Sequence, residues 1–178
     1  KDSNGFAFRS SPKQVNKSTQ YSSFWMNDEN DEYNELFGIT EDKGKDLVQL
    51  LKPFGLKILV YDIVDYYNFY KQHKIEKVSL DQLLTESDLI SLHVPLDYST
   101  KNILSKEKLS LLKKNAILIN TARGGLVDEK ELKKLLINHR ISGAAFDVYS
   151  SEPPTDFELL KLPNFFGTPH IGGSSFEA

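Results

Sequence analysis

The sequence contains no cysteine among its 178 residues. This absence excludes disulfide bonds, thiolate catalysis and cysteine-ligated zinc. No other pattern of ligands stands out, so we predict no metal site. The absence of disulfides is compatible with a reducing compartment, and we expect a cytoplasmic location.

The chain also has no excess of basic charge and no long apolar run. Its net charge is −3, which gives no positive field for a nucleic-acid partner. No apolar run approaches the roughly 18 residues of a membrane span, and no secretory signal pattern is present. The composition is 39% hydrophobic and 26% charged, as in ordinary globular proteins. We therefore expect one globular domain with no nucleic-acid and no membrane partner.

The first part of the chain differs from the rest. Residues 1–35 are rich in Ser, Asn, Lys and acidic residues and show no sustained hydrophobic period. This composition predicts a poorly ordered or atypical lead-in. Residues 36–178 are predicted to form the folded domain.

From residue 45 onward, helical patterns alternate with apolar strand-like runs. The predicted strands are 56–62, 88–95, 116–120, 141–148 and 165–168. The predicted helices cover 45–52, 105–114 and two segments that follow the capping boxes Ser79/Gln82 and Asp128/Glu131, and residues 66–73 are predicted to form a short helix or a loop. Alternation of this kind is typical of an α/β domain with a doubly wound parallel sheet.

Three of the predicted strands are followed by residues that can do chemistry. These residues are Arg123 after strand 116–120, Glu152 after strand 141–148, and His170 after strand 165–168. Because ligands bind at the carboxyl ends of parallel strands, we expect the three side chains at one edge of the sheet.

Each of these residues has a possible chemical role and a plainer alternative. Arg123 can bind a carboxylate through two parallel hydrogen bonds, with Gly124 and Gly125 letting backbone N–H groups approach the ligand, or it can simply pair with a surface acid. His170 can move a proton near neutral pH, with Glu152 orienting its ring, or it can be a structural or surface histidine. Asp62 follows a predicted strand and can accept hydrogen bonds from a ribose, which favours NAD over NADP, or it can be an ordinary strand end.

Several motifs together resemble the D-isomer-specific 2-hydroxyacid dehydrogenase family. They are Leu51-Lys52-Pro53-Phe54-Gly55, Ser87 to Leu96, Ile119 to Asp128, Gly143 to Pro153, and Thr168 to Ser174. The resemblance covers about residues 44–178 and implies a Rossmann-like NAD-binding domain. The family includes phosphoglycerate dehydrogenase, glyoxylate and hydroxypyruvate reductases, and D-lactate dehydrogenase.

The resemblance implies an NAD-dependent oxidoreductase that moves a hydride between NAD and C2 of a small 2-hydroxy or 2-oxo acid. Arg123 would bind the substrate, His170 would be the acid/base, and Glu152 would be its partner. The cofactor would be bound by Gly44, Asp62, Pro95, Thr100, Thr121, Ala122, Asp147, Gly172 and Gly173, with Asp147 near the nicotinamide amide. The family commonly dimerises, so a homodimer is possible.

The sequence departs from the family in two places. The first two glycines of the phosphate-binding turn align with Ile39 and Glu41, and Glu41 would place a carboxylate against two phosphates. The family's substrate domain is also largely absent from these 178 residues. An alternative reading is therefore a non-catalytic binding or assembly protein, or an inactive fragment, that keeps the fold. Some family members act as transcriptional corepressors in this way.

Overall fold

The computed structural model describes residues 43–173, and the side chains from residue 46 onward. The predicted lead-in 1–35 and the aligned turn positions Ile39 and Glu41 lie outside the described residues. Helices alternate with short strands along the described part of the chain. The helices are α1 Lys43–Leu51, α2 Tyr67–His73, α3 Leu80–Glu86, α4 Lys106–Leu109, α5 Glu129–Ile137 and α6 Phe157–Leu160, and a 3₁₀ helix spans Lys52–Phe54. The strands are β1 Leu59–Val60, β2 Glu76–Lys77, β3 Leu89–Leu92, β4 Ile117–Asn120, β5 Gly143–Phe146 and β6 Phe165–Gly167.

All strand pairs among these residues are parallel, which confirms the predicted α/β class. The strands form two sheets, β1-β2 and β3-β4-β5-β6, rather than the continuous sheet that the sequence suggested.

The buried hydrophobic residues form two clusters, and the larger one also includes Leu59 of β1. One buried cluster lies around β3–β6 and includes Leu83, Ile90, Leu118 and Phe146. A smaller cluster lies against β1 and includes Val60, which is completely buried. Apolar residues from helices and strands meet in both clusters, as expected when helices cover a parallel sheet.

The observed strands and most of the helices are shorter than the predicted ones, whereas α1 is slightly longer. The helix predicted over 105–114 ends at Leu109, because the next residues form tight i→i−3 turns, with the Leu112 N–H donating to the Leu109 carbonyl. These turns bury both leucines before the chain enters β4. The two-residue strand β2 was not predicted, since its two residues, Glu76 and Lys77, are both exposed and charged.

In each of the two predicted capping boxes, only the hydrogen bond to the N-cap side chain forms. Ser79 accepts a hydrogen bond from the Gln82 N–H, and Asp128 accepts one from the Glu131 N–H. The Gln82 side chain instead donates to Glu86, and Glu131 pairs with Lys134. The helix starts were therefore predicted correctly, while the return contacts were not. Among the described helices, none is long and apolar enough to cross a membrane.

Candidate active site

The adjacent strands β4, β5 and β6 bring Arg123, Glu152 and His170 to the same edge of the sheet. Each residue follows the carboxyl end of its strand, and the three strands are neighbours in the order β4-β5-β6. Parallel strands place all their carboxyl ends together, so segments far apart in sequence meet here.

Glu152 and His170 are in direct contact. The His170 Nδ1 lies 2.7 Å from the Glu152 Oε2. Because an ionised carboxylate can only accept, Nδ1 carries the proton of this hydrogen bond. The ring is thereby fixed in one orientation, and Nε2 is left as the nitrogen that can exchange a proton with another group. The other carboxylate oxygen of Glu152 accepts a hydrogen bond from the Tyr149 N–H at 3.1 Å.

His170 adopts a backbone conformation that is unusual for a residue with a side chain. Its φ is +56°, in the left-handed region. Such a conformation costs about 1–3 kcal/mol and persists where the surroundings enforce it. Here Asp147 enforces it by accepting hydrogen bonds from the Ile171 and Gly172 N–H groups and from the Thr168 hydroxyl.

Asp147 is buried, and its ionised form is favoured. Burial alone would raise the pKa of this carboxyl, but the hydrogen bonds from Thr168, Gly172 and Ile171 outweigh it and lower the pKa. Three donors occupy three of the roughly four acceptor positions of a carboxylate. One position is left for a further donor, such as an amide.

Arg123 is held by the turn that follows β4. The buried Asn120 closes this turn, since its side chain accepts from the Ala122 N–H at 3.1 Å and donates to the Arg123 carbonyl at 2.9 Å. The guanidinium also donates to the Ala122 carbonyl. Burial lowers the pKa of Arg123, and the nearby negative charge of Glu152 opposes that shift. Arginine stays charged under both influences.

The glycines after Arg123 serve packing rather than ligand approach. A Cβ on Gly124 would lie 1.8 Å from the Tyr149 carbonyl oxygen, so only glycine lets the two loops touch. Gly125 has a φ of +81°, which explains its identity by backbone conformation. We expected both glycines to let a ligand approach the backbone. The structure instead explains Gly124 by close packing and Gly125 by its positive φ.

The remaining predicted cofactor residues differ in how accessible they are. Thr121 is exposed, Gly172 is exposed, and Gly173 has open space where a Cβ would be. Thr100 is completely buried, and its hydroxyl donates to the Pro95 carbonyl at 2.8 Å and accepts from the Asp97 N–H at 2.7 Å. Thr100 therefore braces the loop after β3 rather than presenting its hydroxyl to a ligand.

Asp62 and Gly44 lie in the other part of the fold. Asp62 follows β1, is 3% exposed, and accepts a hydrogen bond from the Val64 N–H at 2.8 Å. Gly44 lies in the first turn of α1. The β4–β6 edge thus combines hydrogen-bond donors and acceptors with open space at Gly173. The predicted phosphate-binding positions 39 and 41 lie outside the described residues.

A family model described as "D-isomer specific 2-hydroxyacid dehydrogenase, NAD binding domain" matches residues 37–172. The chain belongs to this family. The resemblance inferred from the motifs is thereby confirmed, as are the Rossmann-like fold and NAD as the cofactor of this domain.

Individual relatives agree with the family match. The chain is 43% identical over 136 residues to D-3-phosphoglycerate dehydrogenase of Methanocaldococcus jannaschii, covering 76% of this chain and 26% of that protein. It is 44% identical over 138 residues to glycerate dehydrogenase of Methylorubrum extorquens, covering 76% and 41%. The crystal structure of D-lactate dehydrogenase from Aquifex aeolicus, complexed with NAD and lactic acid, superposes with a TM-score of 0.70 at 35% identity, covering 75% and 45%. The chain thus spans between a quarter and a half of the length of these relatives.

Sequence reasoning missed three residues that shape the site. Asn120 was part of a recognised motif, but its role in closing the turn was not predicted. An Asn that precedes a turn and bonds to the backbone two residues on is a known signal for this role. Tyr149 and Glu129 had no such signal, because Tyr149 packs against Gly124 and Glu129 bonds to Ser150, and both contacts join segments that are distant in sequence.

Proposed function

We propose that this domain is the NAD-binding and catalytic part of an NAD-dependent 2-hydroxyacid dehydrogenase. The observation that carries the proposal is the Glu152–His170 hydrogen bond of 2.7 Å, located beside Arg123 at the carboxyl edge of the sheet. A cation for a carboxylate and an oriented acid/base are the two protein groups that such a reaction requires.

In this proposal Arg123 binds the carboxylate of a small 2-oxo or 2-hydroxy acid. Its planar guanidinium can make two parallel hydrogen bonds, which fixes the orientation of the substrate. Burial of Arg123 strengthens this interaction, because nearby water no longer screens the charge.

His170 acts as the acid/base through Nε2. During reduction it donates a proton to the developing alkoxide oxygen on C2, and during oxidation it removes the proton from the hydroxyl. Glu152 stabilises the charged ring and keeps Nδ1 protonated in both directions. Bound NAD supplies the hydride acceptor, and NADH the donor, for C2. Thr121, Gly173 and the free acceptor position of Asp147 would hold the nicotinamide end.

The proposal extends to the substrate class but not to a single acid. D-lactate dehydrogenase, glycerate dehydrogenase and D-3-phosphoglycerate dehydrogenase are among the relatives, and each is named for a different 2-hydroxy acid. The cytoplasmic location and the homodimer stay predictions. The non-catalytic alternative rests on Ile39 and Glu41 in the predicted phosphate-binding turn, whereas the presence of Arg123, Glu152 and His170 favours the catalytic function.

The test is NADH oxidation by the purified chain in the presence of glyoxylate, hydroxypyruvate or pyruvate. His170→Gln should lower kcat about 10²–10⁴-fold, the usual contribution of a general acid/base. Arg123→Lys should mainly raise KM, because lysine cannot make the paired hydrogen bonds. The matched control is His139→Gln, since this histidine lies beyond the C-terminus of α5 and away from the sheet edge. Equal rates in wild type and His170→Gln would refute the assigned chemistry.

A further inference from the structure

The part of the loop just before Glu152 is hydrogen-bonded to the start of helix α5 through the side chain of Glu129. Both the N–H and the hydroxyl of Ser150 donate to the same oxygen of Glu129, the Oε1, at 2.7 Å each. Glu129 is the first residue of α5, and its backbone is fixed by the N-cap Asp128 just before it. A helix end therefore holds the loop two residues before Glu152.

Packing does not hold this part of the loop. A cavity of about 390 Å³ lies between α5, the loop and α6, and its walls include Glu129, Ser150, Ser151 and Thr155. Ser150, Ser151 and Glu152 are all exposed. A loop that has open space beside it can shift unless directed hydrogen bonds prevent it.

Both ends of the loop have their own attachments. Near β5, the Tyr149 backbone rests against Gly124. Near α6, Asp156 pairs with Lys133 at 2.7 Å. Glu129 supplies the attachment between these two points, where Glu152 leaves the loop toward His170.

We infer that Glu129 is a positioning residue for the proposed acid/base: by gripping Ser150, it fixes Glu152 where that carboxylate orients His170. The role of Glu129 in catalysis rests on the proposed function, but its effect on the position of Glu152 and on the His170 tautomer does not depend on activity. Two charge-assisted hydrogen bonds to one carboxylate are stronger than neutral ones, so their loss should free the loop.

The direct readout is the tautomer of His170, measured by nitrogen NMR of histidine-labelled protein. In the wild type Nδ1 should carry the proton of the neutral ring, because Glu152 accepts it. His170→Gln assigns the signal among the four histidines. Glu129→Ala should shift the population toward the Nε2–H tautomer and speed the exchange of the Nδ1 proton with water.

Two further variants separate positioning from a general effect on the helix. Glu129→Gln keeps an oxygen that can accept both Ser150 donors, so it should restore most of the wild-type tautomer population. Glu131→Ala removes another acid from the first turn of α5, one that pairs with Lys134 instead, and should leave His170 unchanged. Ser150→Ala, which removes one of the two donors, should give an intermediate effect and remains informative if Glu129→Ala does not fold.

The measurements distinguish a failure of the positioning role of Glu129 from a failure of the proposed dehydrogenase function. An unchanged His170 tautomer in both Glu129→Ala and Ser150→Ala would overturn the inference, and so would a wild type without a protonated Nδ1. If the tautomer responds as expected and NADH oxidation is absent from the wild type, the positioning holds while the proposed function fails. If both hold, Glu129→Ala should lower kcat about tenfold or more with little change in KM.

Discussion

The contact between the Arg123 turn and the Glu152 loop can be tested by adding one methyl group. In Gly124→Ala the new Cβ would lie 1.8 Å from the Tyr149 carbonyl oxygen, 2.1 Å from its carbon and 2.7 Å from the Ser150 nitrogen. Ordinary van der Waals contact begins at 3.4 Å, so the Tyr149 oxygen would have to retreat by about 1.6 Å. All three atoms belong to backbone, which cannot rotate away as a side chain can.

The expected cost follows from this geometry. Overpacking costs about 1–3 kcal/mol, and the rigidity of the backbone places Gly124→Ala toward the upper end. In a chain of this length, 1 kcal/mol corresponds to about 2–4 °C in melting temperature, so Tm should fall by about 4–12 °C. The retreating segment carries Glu152, and a misplacement of about 1 Å can lower kcat by about 10²-fold.

Thermal unfolding followed by circular dichroism measures the loss of stability, and NADH oxidation measures the loss of turnover. The matched control is Gly173→Ala, because nothing lies within 4 Å of a Cβ built there. That variant should unfold close to the wild-type temperature. A Gly124→Ala protein with the same Tm and the same turnover as wild type would refute the close contact between the two loops.

Other predictions concern Asp147, Thr100 and the phosphate-binding turn. The pKa of Asp147 is lowered in the folded state, so its contribution to stability is complete above the unfolded value of about 4 and is lost as pH falls through the folded value. Asp147→Asn should flatten the acid side of a Tm-versus-pH curve, whereas the exposed control Asp65→Asn should keep its shape. Thr100→Val should cost about 1–3 kcal/mol in urea unfolding, because it removes the acceptor for a backbone N–H, while the exposed control Thr121→Val should cost little. Glu41→Gly should tighten NADH binding in a calorimetric titration by removing a carboxylate from the predicted phosphate site; unchanged affinity would mean that the turn is aligned incorrectly.

The sequence was most informative where a residue with a reactive side chain follows a strand. Apolar runs before Arg123, Glu152 and His170 predicted three strands, and the parallel order of β4, β5 and β6 brings the residues together. This worked because strand burial and the position of the carboxyl end are both visible in the local pattern.

Contacts between distant segments could not be predicted in this way. Gly124 was assigned to ligand approach, yet the atoms that explain it belong to Tyr149, which is 25 residues away along the chain. Thr100 is a different case, because its hydroxyl was expected at the cofactor site but bonds within its own loop, to the Pro95 carbonyl. Which partner satisfies a polar group depends on tertiary packing, and local spacing carries no information about it.

Motif roles and structural roles can also coincide in one residue. Asp147 was placed near the nicotinamide amide by the family resemblance, and its carboxylate also holds the segment that carries His170. The left-handed conformation of His170 was not predicted, because positive φ is uncommon for any residue with a side chain, even though histidine is among the enriched types. It becomes understandable only when the three hydrogen bonds to Asp147 are known.

Direct hydride transfer to a 2-oxo acid tests the central claim most directly. NADH deuterated at C4 is incubated with the purified chain and with glyoxylate, hydroxypyruvate or pyruvate, and the product is analysed by mass spectrometry. We predict a 2-hydroxy acid that carries deuterium on C2, formed at a rate that falls about 10²-fold or more in His170→Gln. A reduced product without deuterium, or equal deuterium incorporation in wild type and His170→Gln, would contradict the assignment of Arg123, Glu152 and His170 as one hydride-transfer site.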